Sequence, residues 1–226
     1  VHVLLVDREV AVRAATLETA TDLVAVVSYT VGAIDNVDLE AATRLGILVT
    51  HTPGSQSNAV AEHTLALVMA IARRLVEADA AVRGGQWRCR EALAGAELAG
   101  KTLGIWGWGK IAALVARKAQ ALELRVLVHS LHADPADVPY PLVDLPDILA
   151  EADFLSLHAR RAPSDRPLVG EDELRKMKPT AYLINTARGH LIDEDALVRA
   201  LRGGWIAGAA LDVLRQEPPD PGSPLL

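Results

Sequence analysis

The sequence predicts an α/β protein built on parallel sheets, and three observations carry that prediction. The first fifty residues alternate short β-like runs with helical stretches in a βαβαβ rhythm. A long breaker-free stretch then separates this rhythm from a second, longer run of strand and helix alternation. At the head of the second run, an apolar strand passes through a glycine turn into a helix, the local pattern of a doubly wound sheet.

The first strands are expected at residues 3–6, 24–27 and 47–50, with helices around 11–20 and 37–45. Asp38 suits the cap of the second helix, and Gly46 follows its end. Thr52-Pro53-Gly54-Ser55 breaks the pattern and sets a domain boundary just after it, giving domains at 1–57 and 58–226. Residues 58–83 contain no breaker and repeat apolar positions at Val60, Leu67, Val68, Ile71 and Leu75, which predicts one long amphipathic helix closed by Gly84-Gly85. Strands follow at 102–106, 125–128, 154–157, 181–185 and 207–213. Helices fill the gaps, among them 145–151, 171–177 and one capped by Asp193 that ends at Gly203.

Composition excludes several classes. Half of the 226 residues are apolar, enough for a sizeable core. With 23 basic against 29 acidic residues the net charge is −6, and no Lys/Arg cluster is present to hold a phosphate backbone, so nucleic acid is not an expected partner. Cys89 is the single cysteine, so no intramolecular disulfide forms and a cytoplasmic location fits. No apolar run reaches the roughly 18–20 residues of a membrane span. The chain opens on Val1 and is strand-like by Val3, as expected of a sequence that starts inside a longer protein.

The strongest motif is Gly107-Trp108-Gly109-Lys110-Ile111-Ala112, directly after the strand 102–106. Gly107 permits the tight turn, and Gly109 lets backbone approach a pyrophosphate. Lys110 and Ile111 open a helix whose unpaired N–H groups and partial positive charge favour an anion. A dinucleotide-binding turn commonly pairs with an acid at the end of the next strand, where it grips the ribose 2′-hydroxyl. Here that strand ends in His129-Ser130-Leu131. Ser130 accepts a hydroxyl or a 2′-phosphate equally well, or is a plain turn residue, so the choice between NAD and NADP stays open.

Six segments occur in order along the chain: Asp35-Asn36-Val37-Asp38-Leu39, Ala61-Glu62-His63-Thr64, Gly104 to Ile111, Met177-Lys178-Pro179, Ile184-Asn185-Thr186-Ala187-Arg188-Gly189 and Ala209-Ala210-Leu211-Asp212-Val213. Together they resemble the D-2-hydroxyacid dehydrogenases, the family of phosphoglycerate, glycerate and D-lactate dehydrogenases and glyoxylate reductases. The resemblance implies two Rossmann-like α/β domains: a smaller, flavodoxin-like partial substrate domain and a nucleotide-binding domain with a doubly wound parallel sheet, the substrate lying between them. It implies hydride transfer between a nicotinamide cofactor, NAD or NADP, and C2 of a small 2-hydroxy or 2-oxo acid. It also implies a homodimer formed through the long-helix region.

Residue by residue, Arg188 stands where the family binds the substrate's carboxylate and carbonyl, a task suited to a planar guanidinium that makes two parallel hydrogen bonds. Glu217 stands where the family places the carboxylate that raises the pKa of the acid/base His. Asp212 matches the residue that approaches the nicotinamide carboxamide, with Thr186 and Ala187 lining the same side. That His is expected beyond Leu226, so the chain is expected to lack both ends of the family's length. None of the seven His present follows Glu217, and His190 is the one nearest to Arg188 in sequence. A catalytically silent NAD(H)-binding sensor or corepressor-like protein is the alternative class, against which the retained Arg188 and Glu217 argue. Two departures from the family pattern are Val31-Gly32-Ala33-Ile34-Asp35, with one Gly where relatives carry a Gly-x-Gly-x-Asp loop, and His158-Ala159-Arg160, where relatives carry His-x-Pro.

Overall fold

The computed structural model describes residues 1–7, 10–28, 36–159 and 166–226. The segment 31–35 and Arg160, singled out above, therefore lie outside the described residues. The chain divides into two compact units, Val1–Asn58 and Ala59–Leu226.

The first unit holds a three-stranded parallel sheet of β1 (Val3–Val6), β2 (Ala25–Ser28) and β3 (Leu48–His51), in that spatial order. Helices α1 (Ala14–Thr19) and α2 (Leu39–Leu45) connect the strands. Val6, Leu17, Val26, Val37, Ala41 and Ile47 meet in its core. Asp38 caps α2 as expected, its Oδ1 accepting the Ala41 N–H at 2.9 Å, and Gly46 closes the helix at φ +69°.

The second unit carries five parallel strands in the order β5-β4-β6-β7-β8: β4 (Thr102–Trp106), β5 (Arg125–His129), β6 (Phe154–Leu157), β7 (Tyr182–Asn185) and β8 (Gly208–Leu211). β4 and β6 are buried along their whole length, because the sheet is covered on both faces. On one side α3 (Ser57–Ala72) and α5 (Lys110–Ala121) pack Ala61, Val68, Val115 and Ala119 against Leu103, Ile105 and Val126. On the other, α6 (Leu145–Glu151), α7 (Glu171–Lys176) and α8 (Glu194–Arg202) set Ile148, Leu149, Leu174 and Leu197 against Leu155 and Leu183. Asp193 caps α8 by accepting the Ala196 N–H at 3.1 Å. The chain leaves β4 for β5 on one side and returns to β6 on the other. The carboxyl end of β4 is therefore the switch point where such sheets bind ligands.

The single long helix expected over 58–83 is instead two, α3 and α4 (Leu75–Arg83), with Arg74 at φ +52° between them. The reason is tertiary. The Ala72 carbonyl accepts the Ala96 N–H at 2.8 Å, and a Cβ on Gly95 would lie 2.3 Å from that carbonyl oxygen, so the segment 92–96 is seated on the break. Arg74 holds it there by donating to the Ala92 carbonyl at 2.9 Å.

The amino ends of the strands are tied by polar groups. Asp153 accepts the Thr102 N–H at 2.8 Å and the Lys178 ammonium at 3.0 Å, and Lys178 also donates to the Glu151 carbonyl at 2.6 Å. Burial pushes the Asp153 pKa up, but these hydrogen bonds and the Lys178 charge outweigh it and hold the carboxyl below its usual range. Lys178 of the Met177-Lys178-Pro179 segment thus serves the sheet's amino edge, opposite the switch point.

Candidate functional site

At the switch point the two glycines of the turn have different reasons to be glycine. Gly107 adopts φ +100°, and a Cβ there would come within 2.7–3.0 Å of the His158–Ala159 backbone, so the fold itself requires it. Gly109 is extended, at φ 178°, and a Cβ on it would meet no atom within 4 Å. Neither a positive φ nor a neighbouring atom requires glycine at this position. Its bare backbone leaves open space in front of the first turn of α5, where the N–H groups of the helix start converge. Lys110 and Ile111 begin that helix, Lys110 exposed and Ile111 half-buried. The turn thus fits the pyrophosphate of a dinucleotide.

From this point the site extends two ways. Toward β5, Ser130 is half-buried beside the buried His129, whose Nδ1 lies 3.0 Å from the Val143 carbonyl. A cavity of about 510 Å³ opens there, walled by Trp106, His129, Leu131, Pro146 and Leu168, with Asp144 and Arg166 adding one acid and one base. Asp144 precedes α6 but makes no side-chain cap hydrogen bond. Sequence reasoning missed this acid because it looked only at the end of β5.

Toward β7 and β8, the turn after β7 is shaped by Asn185, a fully buried side chain that the sequence reading quoted without giving a role. Its Oδ1 accepts the Ala187 N–H at 3.0 Å, and its Nδ2 donates to the Arg188 carbonyl at 2.9 Å. This hairpin of hydrogen bonds presents Arg188 as an exposed guanidinium, with Nη1 donating to the Ala187 carbonyl at 2.8 Å. Gly189 comes next, and a Cβ on it would fall 2.0 Å from the Leu214 backbone. The absence of that atom lets the loop carrying Glu217 lie directly against the Arg188 turn. Glu194 secures the loop by accepting the Arg215 N–H at 2.6 Å, and Glu217 accepts the Leu214 N–H at 3.2 Å.

Thr186 is buried, and its hydroxyl lies 2.8 Å from that of Thr64 on α3. Asp212, just past β8, pairs with His63 of the same helix at 3.3 Å. Arg188, Glu217, Thr186, Ala187 and Asp212 are therefore gathered at the ends of two adjacent strands. His190 is exposed in the short turn Gly189–Leu191. His158 closes β6 with Nε2 2.9 Å from the Ser156 hydroxyl, and burial pushes its pKa down to about 4, so it is neutral at neutral pH. Among the described residues no cluster of His, Cys, Asp or Glu could hold a metal ion, and no helix is long and apolar enough to cross a membrane.

Comparison with known proteins identifies the family of the chain. Residues 65–226 match the family described as D-isomer specific 2-hydroxyacid dehydrogenase, NAD binding domain. The chain is 42% identical to a glyoxylate reductase of Thermofilum pendens over 216 residues, covering 92% of this chain and 63% of that one. The crystal structure of a Thermus thermophilus protein superposes with a TM-score of 0.92 at 45% identity, covering 98% of this chain and 70% of the other. A D-lactate dehydrogenase with NAD+ from Lactobacillus jensenii superposes at 0.82 and 30% identity, covering 96% and 66%. The chain thus spans less than two thirds of the length of the glyoxylate reductase it matches.

Proposed function

Because the chain belongs to the D-isomer-specific 2-hydroxyacid dehydrogenase family, we propose that it is the cofactor-binding and substrate-orienting part of an NAD- or NADP-dependent oxidoreductase acting between a small D-2-hydroxy acid and its 2-oxo acid. The observation that carries the proposal is the contrast at the glycine turn: the fold demands Gly107, whereas only an approaching ligand demands Gly109. When bound, the nicotinamide cofactor supplies or accepts the hydride. The chain's own residues hold and orient. The first turn of α5 takes the pyrophosphate, and the cavity beside Ser130 takes the adenosine half. Thr186, Ala187 and Asp212 line the nicotinamide half.

Arg188 holds the 2-oxo acid by its carboxylate and carbonyl oxygens and so fixes the face presented for transfer. Glu217 steadies the acid/base His that the family resemblance implies. In this reading residues 1–57 belong to the substrate domain and 58–226 to the cofactor domain, and the whole protein works as a cytoplasmic homodimer. The relatives named glyoxylate reductase point to a short 2-oxo acid.

Titration of the purified chain with NADH and with NADPH, followed by nicotinamide fluorescence, tests the reading. Glyoxylate, hydroxypyruvate and pyruvate are then added in turn. Saturable binding of one cofactor is expected. Failure of both to bind overturns the proposal.

A further inference from the structure

Helix α3 reaches the two strand ends on the nicotinamide side through consecutive residues. The Thr64 hydroxyl donates to the Val60 carbonyl at 2.8 Å, so its only proton is committed and the hydroxyl of Thr186 must be the donor in their 2.8 Å contact. With both hydroxyls buried, this bond fixes the register of α3 against the end of β7. One residue earlier, His63 Nε2 lies 3.3 Å from Asp212 Oδ1, past the end of the neighbouring β8. Both side chains are about half exposed, 49% and 47%, so a ligand can reach the carboxylate while the imidazole touches it. The next acid on α3, Glu62, faces away to Lys118 of α5 at 3.2 Å, and Thr186 on the adjoining strand end is uncharged. Asp212 is thus the ionic partner that the structure gives His63.

We infer that His63 is a positioning residue for Asp212 and, through it, sets how tightly the oxidised cofactor is held relative to the reduced one. The inference rests on the dinucleotide reading above. A dinucleotide whose pyrophosphate sits at β4 and whose adenosine lies toward β5 must place its other half over β6, β7 and β8. The oxidised nicotinamide ring is a cation and the reduced ring is neutral, so a carboxylate at the end of β8 favours the oxidised form. The imidazole in contact with Asp212 orients that carboxylate, whereas a permanent cation in its place would compete with the ring for its charge.

Dissociation constants for NAD+ and NADH (or the NADP pair, if that is the cofactor bound) are measured by calorimetry at pH 8, on the wild-type chain and on His63→Gln and His63→Lys. His63→Lys, which sets a permanent cation against the carboxylate, should shift the ratio of the two constants toward the reduced cofactor by about two- to fivefold, the range of a half-exposed charge pair. His63→Gln, which keeps a donor to the carboxylate without a charge, should hold the ratio close to the wild-type value. A His63→Lys ratio equal to that of the wild type, or variants that weaken both cofactors alike, overturn the inference alone. A wild-type chain that binds neither cofactor overturns the dinucleotide reading and this inference with it.

Discussion

Substituting each glycine of the turn by alanine should separate the requirements of the fold from those of the ligand. Gly107→Ala forces an L-residue to φ +100° and drives its methyl to 2.7 Å from the Ala159 nitrogen and 2.8 Å from the His158 carbonyl carbon, both backbone atoms. The left-handed conformation alone costs about 1–2 kcal/mol, and relieving the contact adds a similar amount. At roughly 2–4 °C per kcal/mol for a chain of this size, the melting temperature should fall by about 5–15 °C. Gly109→Ala meets no atom within 4 Å and takes up an extended conformation open to any residue. Restricting the unfolded chain should then stabilise the variant by about 0.4–1 kcal/mol, raising the melting temperature by a few degrees at most. The same methyl fills the space kept for the pyrophosphate, so dinucleotide affinity should drop at least about tenfold, or ~1.4 kcal/mol. Differential scanning fluorimetry without ligand and calorimetric titration with NADH or NADPH read the two effects separately. A Gly109→Ala chain that binds like wild type, or that melts as early as Gly107→Ala, would refute the reasoning.

Asn185→Ala deletes two hydrogen bonds and leaves the Ala187 N–H and the Arg188 carbonyl to find other partners, so it should cost about 2–4 kcal/mol in urea denaturation and weaken 2-oxo acid binding together with it. His158 should give the wild-type chain an acid limb. Its folded pKa of about 4 lies below the unfolded 6.5, so between these values the unfolded chain binds a proton that the folded one does not, and stability should fall by up to about 3 kcal/mol as pH is lowered. His158→Asn should remove that limb in denaturation curves taken at stepped pH. Asp153 acts at lower pH with the same sign: its folded pKa is depressed, so its contribution is present above the unfolded value of 3.8 and lost as pH falls through it and the folded value. Lys178→Met should erase part of this contribution, costing about 1–2 kcal/mol at pH 7 and progressively less as pH falls below 3.8, as read from urea midpoints.

Where the chemistry of an element was local, the sequence displayed it. Strands at 3–6, 102–106 and 154–157 were readable to the residue because their apolar runs are bounded by breakers or polar residues. Asp38 and Asp193 were legible as caps because a cap is satisfied within three residues. The glycine turn was legible too, although the distinct reasons for Gly107 and Gly109 needed coordinates. What failed to show was decided at a distance. The break at Arg74 depends on the segment 92–96 packing against Ala72, which no helical period in 58–83 could reveal. Thr64 and Thr186 meet across 122 residues, so their contact left no local signature in the sequence. Lys178 stood in a family-like segment and was open to a site role, but its partners Asp153 and Glu151 place it at the other edge of the sheet.

That opposition between edges follows from how a parallel sheet is wound. Each connecting helix runs back along the sheet, so the helix that follows a strand starts at that strand's carboxyl end, and its unpaired N–H groups point there. An anion is welcome at that edge, whereas at the amino edge strand starts leave N–H donors that the chain must satisfy by itself. Asp153 does so for Thr102, with Lys178 neutralising it and filling the Glu151 carbonyl at the end of α6. At the carboxyl edge the same sheet leaves Arg188 exposed and Asp212 half exposed, and it uses Gly189 to bring the Glu217 loop against the Arg188 turn. Charges held back from solvent at one edge stabilise the fold. Charges exposed at the other remain within reach of a charged ligand, which is why substitutions at Asp153 or Lys178 should register in melting and those at Arg188 or Asp212 in ligand affinity.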